Sequence, residues 1–324
     1  MVKRAIPLAL FVAGLAAAVA ATPAQSQAYP SKPVRTIMTV AGGADVVARL
    51  VAERLTQVLG QPVIVESQAG AGGAIGAEMV MRAAPDGHTI MLSAAANIVL
   101  RGFLTKNTPY HPIKSFTPIT KVADTILVVV ANPSAPFNNM KEMIDYAKRN
   151  PGKLSFGTSG IGTNHHLSAE LIRQLTGIEW VHVPYKGGPP ALTGVMTDPS
   201  QVGFSILATS TPMIKAGKIK LLGINNNERY PLLPNVATVA EQIPGYERPP
   251  GWMAYFGPAG VPDPIVRRLN AEIVKIMNAP EVKAKAEAIG FVSSTSTPEE
   301  LTAMIKRDLV VLEKIIKAAG IKPE

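Results

Sequence analysis

The alternation of short apolar runs with Gly-rich turns between residues 34 and 93 constrains the fold of this chain more than any other feature. Val34 to Val40 reads as a buried strand that runs through Ala41-Gly42-Gly43-Ala44-Asp45 into an amphipathic helix ending at Leu59-Gly60. Pro62 to Glu66 is a second strand. Gln68 to Gly73 forms a turn into a helix over Ala74 to Ala84, which Pro85-Asp86-Gly87 closes, and His88 to Ser93 is a third strand. Strands separated by helices through such short connections run parallel with right-handed crossovers, which makes this part an α/β domain.

After a less regular stretch with several prolines, the pattern resumes. Ile126 to Ala131, residues 154–156, Val181 to Val183, Val202 to Ile206 and Ile219 to Ile224 read as strands. Helices over Asn139 to Arg149 and 163–176, with a short one after Pro184-Tyr185-Lys186-Gly187-Gly188, make a second α/β unit. Pro249-Pro250-Gly251 interrupts the pattern; Trp252 to Phe256 then reads as a strand, and Pro264 to Asn278 and Pro298 to Ala319 as helices. These tail helices have no sheet of their own to cover, so they return to the first domain. The expected boundaries are 29–128 and 250–324 for domain I and 129–249 for domain II. Two lobes joined by two crossings leave a cleft where helix N-termini converge.

Residues 1–28 read as a cleaved secretory signal peptide. Lys3 and Arg4 form the charged region, Ala5 to Ala21 the apolar region, and Ser26-Gln27-Ala28 the small-residue cleavage site. The alternative, an uncleaved anchor, has an Ala-rich run at the lower edge of what spans a bilayer. The expected location is the periplasm.

Without Lys3 and Arg4, 30 basic residues face 23 acidic ones, and they are scattered rather than grouped. Such a surface attracts small anions mildly. It lacks the basic stripe with interleaved aromatics of a nucleic-acid binder. The absence of cysteine excludes disulfides, thiolate metal sites and a thiol nucleophile.

The stretch Gly157-Thr158-Ser159-Gly160-Ile161-Gly162-Thr163-Asn164 follows a strand and opens a helix. A loop of this kind offers unpaired N–H groups, hydroxyls and the positive end of a helix dipole, which suits a carboxylate or phosphate. The alternative is an ordinary capped turn, with Thr163 or Asn164 as N-cap. Ser159 with His165 or His166 lacks the closing Gly of a nucleophile elbow, since Ile161 stands there. His166 and Glu170 share a helix face without a third metal ligand in the motif. Gly70 to Gly76 fails the dinucleotide spacing at Ile75. Ser93-Ala94-Ala95-Ala96-Asn97 is a candidate ligand wall, with Asn97 alternatively a helix cap. Tyr185 and Lys186 either structure their turn or face the cleft, and Trp252 either stacks on a ligand or packs between domains.

Collinear pieces then identify a resemblance. Tyr29-Pro30-Ser31-Lys32-Pro33, Leu59-Gly60-Gln61-Pro62-Val63, Ala84-Pro85-Asp86-Gly87-His88-Thr89, Asn150-Pro151-Gly152-Lys153-Leu154, Gly157 to Thr163, His182-Val183-Pro184-Tyr185-Lys186-Gly187 and Gly257-Pro258-Ala259-Gly260 lie in order. The chain resembles the periplasmic substrate-binding proteins of tripartite tricarboxylate transporters, the Bug receptor (TctC) family. The resemblance implies a type II periplasmic binding protein fold and a carboxylate ligand held between two loops that act as pincers. By position these are Val40 to Asp45 and Gly157 to Asn164. The chain departs from the family pattern in a shortened first pincer, where Ala44 replaces the usual Thr. It departs again at Phe204-Ser205-Ile206-Leu207, where many relatives carry Asp-Asn, and at Thr197-Asp198-Pro199-Ser200, which replaces a Gly-rich turn.

The expected ligand-binding residues are Ala41, Gly42, Gly43, Ala44, Asp45, Ser93, Ala94, Thr158, Ser159, Gly160, Thr163, Asn164, His165 and Ser205. The expected function is a non-enzymatic receptor, monomeric and without metal or cofactor, that closes around a small organic carboxylate and delivers it to membrane transporter subunits. A sensor input to a signalling partner and a secreted serine hydrolase are the alternatives. The missing acid at Ser205 points to a ligand without an amine: a di- or tricarboxylate or an aromatic acid.

Overall fold

The computed structural model describes residues 29–40, 44–161, 163–197, 200–226 and 228–319. The expected signal peptide at 1–28, the expected pincer residues Ala41, Gly42, Gly43 and Gly162, and Asp198 and Pro199 lie outside the described residues.

In chain order the first part comprises β1 (Val34–Met38), α1 (Ala44–Leu59), β2 (Val63–Ser67), α2 (Ala74–Met81), β3 (Thr89–Ala94), α3 (Arg101–Leu104) and β4 (Phe116–Thr125). The middle comprises β5 (Leu127–Ala131), α4 (Met140–Arg149), β6 (Leu154–Thr158), α5 (Asn164–Thr176), β7 (Trp180–Pro184), α6 (Gly188–Met196), β8 (Val202–Ile206), α7 (Leu207–Lys215), β9 (Lys220–Asn225) and α8 (Val239–Gln242). The tail comprises β10 (Trp252–Pro258), α9 (Asp263–Asn278), α10 (Pro280–Ala288), β11 (Phe291–Ser293) and α11 (Pro298–Ala319).

Two sheets result, ordered β11-β4-β10-β3-β1-β2 and β7-β6-β8-β5-β9. The parallel reading of the first three strands holds: β1 pairs in parallel with β2 and β3. In the second sheet β6 pairs in parallel with β7 and β8. Each sheet also takes in an antiparallel strand that has just arrived from the other side of the molecule, and the first carries a second antiparallel strand, β11, at its edge beside β4. β10 lies between β3 and β4, and β5 between β8 and β9. The chain is thus a mixed α/β protein with two sheet-containing lobes.

Residues 116–125, within the proline-interrupted stretch that shows no regular pattern in the sequence, form the long strand β4. Pro118 is tolerated because it pairs with Phe256 beside a register shift between Tyr255 and Phe256, where the ladder is already interrupted. Helix α7 likewise forms around Pro212.

Helix α1 buries Val47, Ala48, Val51, Ala52, Leu55 and Leu59, one apolar stripe at helical spacing. That stripe joins Leu269 and Ile273 of α9 in one core. A larger core runs from Ile37 and Met91 of the first sheet to Phe156 and Phe204 of the second, by way of Leu301, Ile305 and Leu312 of α11. Helix α9 packs on β4 and α1, whereas α11 packs against both β4 and α5 and joins the lobes. Among the described residues no helix is long and apolar enough to cross a membrane.

The two crossings between lobes run side by side. Thr125 N–H donates to the Gly251 carbonyl at 2.9 Å, and Arg248 Nη1 donates to the Thr125 carbonyl at 3.0 Å. Arg248 is buried, which lowers its pKa, and Asp124 opposes that shift.

Candidate functional site

A cavity of about 650 Å³ opens between the lobes, within the range of small-molecule sites. Its first wall is the end of β3 and the turn beyond it, from Ala94 through Asn97 and Leu100 to Arg101 and Leu104. Its second wall is the loop from β6 into α5, with Ser159, Ile161, Thr163, Asn164 and His165, joined by Ser205, Ile206 and Thr209 at the β8–α7 junction. Thr125, Leu127, Pro250, Gly251 and Trp252, at or beside the crossings, together with Gly72, Thr105, Gly188 and Pro189, complete the lining.

On the second wall, Thr163 is the N-cap of α5: its hydroxyl accepts from His166 N–H and donates to the Gly160 carbonyl at 2.8 Å. With that hydroxyl engaged, the first-turn N–H groups of Asn164 and His165, which have no intrahelical acceptor by geometry, remain the donors at the helix end. The capped-turn and anion-site readings are thus compatible. Asn164 donates from Nδ2 to the Pro250 carbonyl at 2.6 Å, while its Oδ1 is buried without a partner. His165 is buried as well, with Nδ1 unpartnered, and burial lowers its pKa to about 4. It is a neutral imidazole at physiological pH.

Behind this loop sits a stacked column. Phe156 lies on His182 at 4.7 Å between ring centroids, and His182 lies on His166 at 4.4 Å. His182 Nε2 is 2.6 Å from the Thr158 hydroxyl, which also receives the Gly160 N–H. Burial, and then the neighbouring His166, lower the pKa of His182 to about 4.

On the first wall, the turn Gly70–Gly73 presses on Asn97. A Cβ at Gly73 would stand 2.4 Å from Asn97 Nδ2 and 2.6 Å from the Thr39 carbonyl, so only glycine fits there. Asn97 lies inside a helical turn rather than capping it, and its amide donates to the Gly72 carbonyl. Trp252 is buried and donates from Nε1 to Asp308 Oδ2 of α11 at 2.7 Å, so the indole both borders the cavity and packs between elements.

Of the expected site residues, Ala94, Ser159, Thr163, Asn164, His165 and Ser205 come together on the cavity wall. Five others stand elsewhere, for separate reasons. Ala44 is buried in the first turn of α1. Asp45 is drawn off by Arg49, one helical turn on, at 2.7 Å. Ser93 is wholly buried and takes the Thr39 hydroxyl at 2.7 Å. Thr158 faces His182 behind the loop, and Gly160 accepts the Thr163 hydroxyl. Tyr185 turns inward, 3.0 Å from the Ser200 hydroxyl. The first-wall residues Leu100, Arg101 and Leu104 escaped sequence reading. Their position just beyond the carboxyl end of a parallel strand, where ligands of open α/β sheets bind, was the available signal.

Two α/β lobes with paired crossings and a donor-lined cleft define the class of two-lobed solute-binding proteins. The tripartite tricarboxylate transporter family receptor profile matches residues 47–321, and the chain belongs to that family. Three solved structures are similar to it. Periplasmic binding protein BugD is 32% identical, with a TM-score of 0.75, over 91% of this chain and all of that one. Rpa4515 of R. palustris, solved with adipate, is 29% identical with a TM-score of 0.79, over 91% of this chain and all of that one. MatC from Rhodopseudomonas palustris, solved with bound malate, is 27% identical with a TM-score of 0.72, over 89% of this chain and all of that one. The family and these neighbours are solute-binding receptors, not enzymes, which removes the serine-hydrolase alternative.

Proposed function

We propose that this chain is a periplasmic receptor that captures a small organic carboxylate by lobe closure and presents it to the membrane subunits of a tripartite tricarboxylate transport system. The observation that carries this reading is the sign of the charge on the cavity lining. Its described lining supplies N–H and O–H donors and a cation, and no carboxylate. An anion meets the Arg101 charge and several N–H and O–H donors there, whereas an ammonium meets that same positive charge and no carboxylate on the described lining to pair with. The likeness to receptors solved with adipate and malate supports the same ligand class.

In this reading Ser159, Asn164, His165 and Ser205 contact the ligand directly, Ala94 shapes the wall, and Thr163 and Thr158 hold the second pincer in position. Asp45 and the turn before it serve as the first pincer through backbone N–H groups. Residues 1–28 direct export, the lobes comprise 29–128 with 250–324 and 129–249, and the receptor works as a monomer. Ligand binding to the native state alone raises stability by about 2.7 kcal/mol at a hundred times Kd. Thermal melts of residues 29–324 against carboxylates, amino acids and neutral solutes test the proposal. Stabilisation confined to carboxylates is expected; stabilisation by amines or sugars alone contradicts it.

A further inference from the structure

Arg101 is the one permanently charged residue on the described lining of the cavity. It sits at the start of α3 on the first lobe, and none of the ion pairs among the described residues includes it. Its Nη1 donates to the Ala71 carbonyl at 2.7 Å, and its Nε is buried without a partner. Ala71 itself adopts a left-handed conformation, φ 50° and ψ 43°, which disfavours a side chain. The turn thus orients a neutral carbonyl, not a carboxylate, towards the guanidinium. A fork of five N–H donors held by one carbonyl keeps capacity for a further acceptor.

The opposite lobe brings the other anion-seeking feature, the first turn of α5. It carries an independent sign of an absent partner, since His165, buried beside the cavity, leaves Nδ1 unbonded. Between the two walls the lining is largely apolar, with Leu100, Leu127 and Ile206. A cation on one lobe and a donor cluster on the other, separated by apolar side chains, match a molecule with an acid group at each end.

We infer that Arg101 is a specificity residue that takes a second anionic group of the ligand, so the receptor selects dianionic acids with an apolar body over monoacids of the same length. This rests on the carboxylate-receptor reading above. A monoacid leaves the guanidinium facing apolar ligand atoms, and a neutral or cationic end is worse still. A charge-assisted, two-pronged contact is worth more than an ordinary hydrogen bond, enough for about a 30-fold preference.

Calorimetric titration of residues 29–324 with succinate against butyrate and adipate against hexanoate, in the native protein and in Arg101→Gln and Arg101→Lys, tests this. The native protein should bind at least one diacid about 30-fold tighter than its monoacid partner. Arg101→Gln should reduce that preference to about threefold or less while monoacid affinity stays within about twofold, and Arg101→Lys, which keeps charge but not the fork, should fall between. A preference that survives in Arg101→Gln overturns the inference. So does an equal loss of both acids, which would mean that Arg101 only holds the Ala71 turn. Binding of monoacids as tightly as diacids by the native protein overturns the inference and leaves the receptor reading intact. Failure of every acid to bind overturns both.

Discussion

Asn164, the first residue of α5 in the second lobe, donates from Nδ2 to the carbonyl of Pro250 in the segment that leads back to the first lobe, at 2.6 Å. The residue that opens the donor end of the helix onto the cleft is therefore fastened to the strap beside which the lobes meet. Replacing Asn164 with Ala removes this bond and leaves the Pro250 carbonyl without it. The expected outcome is a loss of about 1 kcal/mol of stability and a fall of about tenfold in carboxylate affinity. Urea unfolding and calorimetric titration read the two effects, and unchanged affinity would detach this contact from binding.

His165 has a folded-state pKa depressed to about 4 by burial, against 6.5 in the unfolded chain. Below pH 6.5 the unfolded state takes up a proton that the native state refuses until about pH 4, so stability falls as pH drops through that window and is full above it. The full effect of this group is about 3 kcal/mol. His166 and His182, also depressed by burial, act in the same direction. Urea midpoints measured from pH 4 to 7 should rise with pH, and His165→Asn should flatten part of that slope.

Trp252 and Asp308 tie the start of β10 to α11 by one buried bond. Burial holds the Asp308 carboxyl above the usual carboxylate range. Asp308→Ala strands the indole N–H in the core and should cost about 1–3 kcal/mol. Asp308→Asn keeps an acceptor and should cost clearly less. Equal melting temperatures for the two variants would argue against the bond as the cause.

Gly194 of α6 lies so close to Tyr185 that an added Cβ would stand 2.1 Å from the phenol oxygen and 2.4 Å from the carbon bearing it. The Tyr185 ring also packs beside Gly157 of β6, just before the loop that carries Ser159 and Thr163. Gly194→Ala should destabilise the protein by about 1–3 kcal/mol through overpacking, and by displacing Tyr185 it should weaken ligand binding too. Chemical unfolding with a parallel titration checks both.

Much of the architecture was legible because the two α/β units announce themselves locally. Apolar strands, Gly or Pro stops and the helical stripe Val47, Val51 and Leu55 all act within a few residues. Strand β4 was hidden because Pro118 argues against a strand until its partner Phe256, far along the chain, is known to sit at a register shift. The joining role of α11 was hidden for a similar reason: both lobes face it, and neither is visible in its own periodicity. At the site, the loop from Ser159 to His165 could be read from composition. Whether Thr158 and Ser93 turned towards the ligand or the core depended on His182 and Thr39, and only the folded chain supplies those partners. Arg101 had no motif; its significance comes from the carbonyl, rather than the acid, that meets it.

The central claim is that a carboxylate enters the cavity between the lobes, and Trp252 can report it. The chain has two tryptophans, and Trp180 lies away from the cavity, packed on Phe156 at 4.4 Å between ring centroids. Trp180→Phe leaves one indole, on the cavity wall. Titration of this variant with mono- and dicarboxylates, their amides and the matching amines should give a saturable change in emission with at least one carboxylate and none with its amide or amine. Emission that stays flat with every acid but moves with an amine or a neutral solute would contradict the account.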